Sequence, residues 1–473
     1  MLVRCLFYVE INIIPHNPLP RMNTLGHGCI RIDLEHALGP IKAMNAVNNG
    51  PSKARSDQTV SNFDEFAALE IPYARLHDSA HCHSYGGWHS VDITGVFPDF
   101  EADAEKPENY DFTLTDEYLE NIRLAGTEPF YRLGQSIEHW IKKYGVNPPR
   151  DFHKWAVVCE HVIRHYNEGW ADGFHWNIQY WEIWNEPDNQ PAADGRPSST
   201  WTGTVSQFCE FFTEVALYLK RCFPKLKIGG PSLGWDLEYG ERILKHCREN
   251  AVQLDFFSWH YYCSTVEALV AKADAVHELM ARYGYGNAES ILNEYNYVRG
   301  WSDEWPYSLD CESGSRNYKG AAFVAAAMSA LQRTSLDMLM FYDARVGCGM
   351  NNMFDMTSLE PLRGYYPFLA WSRLRRLGTE VAVGITDLTD IYATAAIGKD
   401  GSVGVLVTRY TDNDDITAPK PVTLQIPEAL RGKTPVCHLT DRLRIYTQVF
   451  PKVSADGTLT LRMQPNSFVY IEF

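Results

Sequence analysis

A chain of 473 residues with 45% hydrophobic and 13% aromatic content has ample material for a packed core, and it exceeds the roughly 250–300 residues at which single cores stop growing, so a second domain is expected. A formal net charge of −16 argues against nucleic acid and anionic membranes as partners, since both require basic patches, and no apolar run is long enough to span a bilayer. Eleven cysteines without Cys-x-x-Cys spacing read as reduced thiols rather than a disulfide framework.

At the amino terminus the apolar run Met1–Val9 is short, Glu10 interrupts it, and no small-residue cleavage site follows cleanly. It is a poor secretory signal, and a cytoplasmic chain is the expectation. Pro15, Pro18 and Pro20 make the same stretch read as an irregular tail, so a start at Met22, with residues 1–21 as an extension, is the competing reading. Apolar strand candidates follow near Ile41–Val47, Ile71–Leu76, Pro129–Leu133, Tyr180–Trp184, Leu226–Gly229, Phe256–Trp259, Ile291–Leu292 and Asp337–Phe341. Between them lie amphipathic, helix-like stretches at Tyr118–Ala125, Lys154–His165, Val205–Cys222, Val266–Arg282, Ala321–Leu331 and Phe368–Arg376. Strands alternating with helices predict a closed parallel sheet, an α/β fold of the (β/α)8 TIM-barrel kind. The segment from Gly86 to Asp116 exceeds an ordinary βα loop and is expected to fold over the site as an insertion. Beyond Arg376 the pattern changes to short alternating strands at Ile391–Ala396, Ser402–Thr408, Val422–Ile426, Thr458–Met463 and Ser467–Phe473, separated by Asp-Gly and Asn-Asp-Asp turns. That pattern predicts an additional C-terminal antiparallel β-sandwich domain. The expected division is residues 1–40 as an N-terminal tail, 41–378 as the barrel and 379–473 as the sandwich.

The most informative stretch is Gln179-Tyr180-Trp181-Glu182-Ile183-Trp184-Asn185-Glu186-Pro187-Asp188. An apolar, aromatic strand runs straight into Asn185-Glu186, and Pro187, which fixes φ and lacks an N–H, stops the ladder there. Ile291-Leu292-Asn293-Glu294-Tyr295 is a second apolar run ending in a glutamate. Cleaving an acetal needs one carboxylic acid to protonate the leaving oxygen and a second carboxylate across the sugar. Glu186 and Glu294 are far apart in the chain and can cooperate only if a closed sheet brings their strand ends together, as a barrel does. A glutamate taken alone is more often a solvated or salt-bridged carboxylate; two in one context shift that balance. By period-two alternation Glu182 shares a face with Glu186, and it reads as an inward residue paired with an arginine such as Arg75. His77-Asp78 followed by His81, His83 and His89 could chelate a metal, but no partner falls at a structural-zinc spacing, and neither metal nor cofactor is expected.

Trp181-Glu182-Ile183-Trp184-Asn185-Glu186-Pro187 resembles the acid/base signature of glycoside hydrolase family 39, the β-xylosidase and α-L-iduronidase family of the retaining (β/α)8 clan. Leu292-Asn293-Glu294-Tyr295-Asn296 is similar to the family's nucleophile strand, Ile228-Gly229-Gly230-Pro231 to its strand five, and Asp255–Tyr262 to its strand six. These resemblances span most of residues 40–375. They imply Glu186 as acid/base, Glu294 as nucleophile, Asn185 on the sugar 2-hydroxyl, His77 and His260 on sugar hydroxyls, and Tyr262 donating to Glu294. For His260 the bland alternative is a core histidine bonded to backbone. Tyr342, ending strand eight, is a further candidate substrate contact, in a segment that departs from the family's usual Tyr-Trp. The resemblance also implies that Gly28–Asp33 pairs into the sandwich. The expected activity is that of a retaining exo-glycoside hydrolase acting on an oligosaccharide or glycoside, β-xylosidase-like first, with arabinosides, galactosides or glucosides behind. An iduronidase is less expected, because no Arg/Lys pair for a uronate is evident. An endo-glycanase and a non-catalytic carbohydrate-binding barrel are the alternatives, and a homo-oligomer stays open.

Overall fold

Strand β1 (Cys29–Pro40) leads into eight strands that close a parallel barrel in chain order: β2 (Ala43–Asn48), β3 (Tyr73–Arg75), β4 (Glu128–Leu133), β5 (Tyr180–Ile183), β6 (Lys227–Leu233), β7 (Phe256–His260), β8 (Glu289–Tyr295) and β9 (Met338–Phe341). The computed structural model describes residues 28–53, 60–77, 90–139, 141–189, 197–301, 313–347 and 349–473. Asp78, His81, His83 and His89 of the weighed metal cluster, residues 1–21 and Met22 lie outside the described residues.

Side chains alternate along each strand, so one set faces the barrel interior and the other faces the helices. Ala46, Phe130, Tyr180, Phe256, Ile291, Met338 and Met340 pack together as an apolar floor. Met44, Val47, Tyr131, Trp181, Ile228, Phe257, Leu292 and Phe341 belong to the outer core with the helices. Two positions beyond the floor, Glu182, Ser258 and Asn293 follow on the same faces, joined by Arg75, and all four are fully buried. The interior therefore changes from apolar to charged toward the C-terminal strand ends, where barrel chemistry belongs.

The helices form where amphipathic spacing and caps agree. In Val205–Cys222, Phe208, Phe211, Phe212, Val215 and Leu219 are buried at helical spacing. Its start is fixed by a capping box, with Thr204 Oγ1 accepting from the Gln207 N–H at 3.2 Å and Gln207 Oε1 accepting from the Thr204 N–H at 2.9 Å. Helix Phe152–Glu168 is capped by Asp151 and stops at Gly169, which takes the left-handed conformation at φ 77°. Val205–Cys222 and Val266–Arg282 match expectation, and Thr113–Leu124 begins earlier than expected. Helix Leu237–Glu249 was not anticipated, because its buried residues Tyr239, Ile243, Leu244 and Cys247 are interleaved with charges. The described part of the long segment, residues 90–116, packs onto helix Phe152–Glu168 and the turn that follows it: Phe112 stacks on His165 with centroids 3.6 Å apart and Tyr110 meets Trp170 edge-on at 5.0 Å.

The last hundred residues build β10 (Thr379–Thr386), β11 (Ile391–Ile397), β12 (Val403–Arg409), β13 (Lys420–Gln425), β14 (Val436–Thr440), β15 (Thr447–Val449), β16 (Lys452–Val453), β17 (Thr458–Met463) and β18 (Ser467–Glu472). With β1 they form one curled ten-stranded sheet, ordered β15-β14-β18-β12-β11-β10-β1-β13-β17-β16. Every neighbouring pair is antiparallel except β1 with β13, which run parallel over Cys29–Arg31. Residues Ile30, Val381, Val405, Leu424, Leu459 and Val469 lie in its separate core. Polar contacts tie the sheet to the barrel: Tyr297 donates to Asp412 at 2.6 Å and Arg333 pairs with Glu380 at 3.0 Å. Among the described residues no helix is long and apolar enough to cross a membrane.

Candidate active site

The barrel gathers every sequence-predicted site residue at the C-terminal mouth. Just beyond β5, Trp184 at φ 74° and Glu186 at φ 44° take left-handed conformations that non-glycine residues adopt at a cost. This turn carries Asn185 and Glu186 off the strand together, and the Glu186 N–H is fixed by donating to the Ser232 carbonyl at 2.9 Å. Glu294 sits near the end of β8, buried to 4% exposure.

The two glutamates share a histidine. His260 Nδ1 lies 2.6 Å from Glu186 Oε1 and 3.4 Å from Glu294 Oε2. Tyr262 donates its hydroxyl to Glu294 Oε2 at 2.7 Å. His77 Nε2 is 3.9 Å from Glu294 Oε1, and Tyr342 lies against both His77 and Tyr262, with ring centroids at 6.1 and 6.3 Å. Asn189 donates to Glu186 Oε2 at 2.9 Å.

Beneath them Arg75 uses all five of its N–H donors. Nε bonds Glu182 at 2.6 Å, Nη1 bonds Asn48 at 3.0 Å and Glu294 at 2.7 Å, and Nη2 bonds Asn185 at 2.6 Å and Ser232 at 2.7 Å. The expected Arg75–Glu182 pair is present, but its larger consequence was not anticipated: the same guanidinium also grips Glu294. Burial works against the charged guanidinium, and Glu182 and Glu294 outweigh it and hold Arg75 protonated. Burial likewise pushes the Glu294 carboxyl above its ordinary range, with His260 and Arg75 opposing it. The ionised carboxylate is the form that accepts from both Arg75 and Tyr262.

Ser232 is the residue that sequence reasoning missed most completely. Its Oγ accepts from Arg75 and from Asn293 Nδ2 at 2.9 Å, and it lies 2.7 Å from His260 Nε2. With two donors already on that oxygen, its own O–H must point to Nε2, which places the ring proton of His260 on Nδ1, facing the glutamates. Burial pushes His260 down to about 4, so the ring is neutral near pH 7 and fits this tautomer. Only a serine after Gly-Gly-Pro marked the position, at φ 60° beyond a break in the strand register between Gly230 and Leu233.

Glu186, His260 and Glu294 also bring ligand atoms within 4.8 Å of one another, a spacing a metal ion could bridge. The Arg75 cation already lies against Glu294, so a second cation there would meet repulsion in a low-dielectric site. The arrangement suits paired carboxylates better than metal ligation.

Arg75→Ala is expected to cost about 3–5 kcal/mol of stability, the usual penalty for stranding a buried charge, because Glu182 has no exposure to water. Denaturant unfolding checks this, and Arg75→Ala with Glu182→Gln should recover part of the loss. An unchanged unfolding midpoint in the single variant would show that the ion pair carries no stability.

Residues 32–339 match the family model described as glycosyl hydrolases family 39. A β-xylosidase of Geobacillus stearothermophilus is 26% identical over 235 residues, which is 46% of this chain and 42% of that enzyme, so the match spans less than half the length of this curated relative. Among solved structures, a glucosidase from Croceicoccus marinus superposes with a TM-score of 0.73 at 20% identity, covering 94% of this chain and 98% of that one. A family 39 β-xylosidase from Caulobacter crescentus gives a TM-score of 0.64 at 16% identity, covering 94% and 99%. At those identities the structures share the fold.

Proposed function

The chain belongs to glycosyl hydrolase family 39, and from that premise we propose that it is a retaining, exo-acting glycoside hydrolase with Glu294 as nucleophile and Glu186 as acid/base. The observation that carries this reading is the spacing of the pair: oxygens of the two carboxylates approach within 4.8 Å. Retention calls for carboxyl groups about 5–5.5 Å apart, whereas inversion needs about 6.5–9.5 Å to admit a water.

In the first step Glu294 attacks the anomeric carbon while Glu186 gives its proton to the departing oxygen, so the C–O bond to the leaving group breaks as the glycosyl ester forms. Glu186 then takes a proton from water, which attacks the same carbon and releases Glu294. Arg75 and Tyr262 orient the nucleophile. His260, held by Ser232, sets the ring N–H between the two carboxylates. Asn185 Nδ2 is buried with no hydrogen-bond partner among the described residues, while its Oδ1 is taken by Arg75. That leaves a fixed donor for the sugar 2-hydroxyl, where a bond strengthens in the transition state. His77, Tyr342 and Tyr262 wall the terminal sugar, and Trp301, edge-on to Tyr262 at 5.6 Å and 73% exposed, extends that wall.

Xylose is the first choice of terminal sugar, supported by the named activity of the Geobacillus relative, with glucose next because the Croceicoccus structure is called a glucosidase. A panel of aryl glycosides ranks the sugars, and NMR of the first-formed product reads the stereochemistry. The expected result is the anomer of the substrate's own configuration. An inverted first product sinks the mechanism, and no turnover across the panel sinks the activity.

A further inference from the structure

The loop that follows β6 carries an indole whose exposure and rigidity do not match each other. Trp235 is 57% exposed. Its backbone is fixed on both sides: the N–H donates to Asp188 Oδ2 at 2.8 Å and the carbonyl accepts from Lys272 Nζ at 3.0 Å. Asp188 is fully buried and also accepts from the N–H groups of Gly234 at 2.7 Å and Asp236 at 2.8 Å, so three successive residues hang on one carboxylate. Asp236 then caps helix Leu237–Glu249. A loop tied this closely does not wander, yet its largest side chain is left facing water.

The loop is also adjacent to the acid. Asp188 is two residues after Glu186 in the chain, the Glu186 N–H bonds the Ser232 carbonyl at 2.9 Å, and a Cβ placed on Gly234 would lie 3.4 Å from Glu186 Cγ. Among the described residues the Trp235 indole has no ring contact, whereas Trp301 on the nucleophile side leans on Tyr262. In a retaining glycosidase the proton donor faces the departing group, so the side of the site that carries Glu186 is the side of the leaving group. A flat indole there presents the kind of surface that stacks on the C–H face of a sugar ring.

We propose that Trp235 is the platform of the leaving-group subsite, selecting substrates whose departing group is itself a sugar ring. This assignment rests on the retaining-glycosidase reading and adds to it a preference on the side that reading left open. Discrimination follows from transition-state binding: a stacked leaving group is held while Glu186 protonates it, and a leaving group without a ring gains nothing.

The test compares two substrates with one terminal sugar, xylobiose and β-xylosyl fluoride, or cellobiose and β-glucosyl fluoride if the aryl panel ranks glucose first. Fluoride offers no ring to stack. The ratio of kcat/KM for the disaccharide to kcat/KM for the fluoride should fall about tenfold in Trp235→Ala, the size expected of a lost aromatic stacking contact, and much less in Trp235→Phe. A loss of folding or of general activity lowers both terms and leaves the ratio unchanged, so an unchanged ratio overturns the assignment. An alanine variant that behaves like the phenylalanine variant overturns it too. If the parent enzyme cleaves neither substrate, the glycosidase reading falls and takes the subsite with it.

Discussion

Glu294→Ala is expected to lose the covalent glycosyl-enzyme and to lower kcat/KM by roughly 10⁴-fold or more, the scale on which removal of a nucleophile acts. The fold should survive. Arg75, which loses one of its two carboxylates, keeps Glu182 at 2.6 Å together with Asn48, Asn185 and Ser232, so no buried cation is stranded. Tyr262 loses its acceptor near the mouth of the barrel, above an apolar floor that the substitution does not touch. In the parent enzyme a 2-fluoroglycoside should label a single peptide, the one containing Glu294, because fluorine at C2 slows the breakdown of the ester more than the experiment lasts. In the variant the label should disappear while the melting temperature stays close to that of the parent. Mass spectrometry placing the label on any other residue would falsify the assignment. Added azide should enter from the face that Glu294 vacated, giving a glycosyl azide of inverted configuration.

The parts of the molecule legible in the sequence are those whose cause is local. Val205–Cys222 shows its helix through a capping box and the repeat of Phe208, Phe211, Phe212, Val215 and Leu219, all of which lie within one element. The barrel strands show as apolar runs because both of their faces are covered. Leu237–Glu249 was hidden because most of its residues face water and its buried set is small. Strand Thr379–Thr386 was hidden because it follows helix Tyr365–Leu377 with only Gly378 between them. The site divides in the same way. Glu186 and Glu294 stand out because each closes an apolar run, and the resemblance pointed to His77, Asn185, His260 and Tyr262. Ser232 did not, since its role depends on a left-handed backbone, a broken register and three partners from β3, β7 and β8. Arg75 was matched to Glu182, but its contact with Glu294 comes from barrel closure, which no local pattern encodes.

Glu186→Ala is expected to separate the two chemical steps rather than abolish both. A sugar or alkyl leaving group departs only if protonated, so kcat/KM for such substrates should fall by about 10²–10⁴-fold, the usual worth of a general acid. Dinitrophenyl glycosides need no proton, and their kcat/KM should change little. Their kcat should nonetheless fall, because water must now attack the glycosyl-enzyme without a base, and the ester on Glu294 should accumulate. Azide needs no deprotonation and should restore the rate, giving a glycosyl azide of retained configuration, opposite to that from the Glu294 variant. The structure favours a clean outcome. Glu186 is held through its side chain by His260 and Asn189 and through its backbone by Ser232, and only the side-chain bonds are lost on truncation. His260 keeps Ser232 on Nε2, so its Nδ1–H still faces the site, with Glu294 Oε2 at 3.4 Å as the remaining acceptor. Equal losses on dinitrophenyl and sugar leaving groups, or no response to azide, would assign Glu186 a role other than proton transfer. If azide gave the same configuration with both variants, the two glutamates could not hold the separate roles proposed for them.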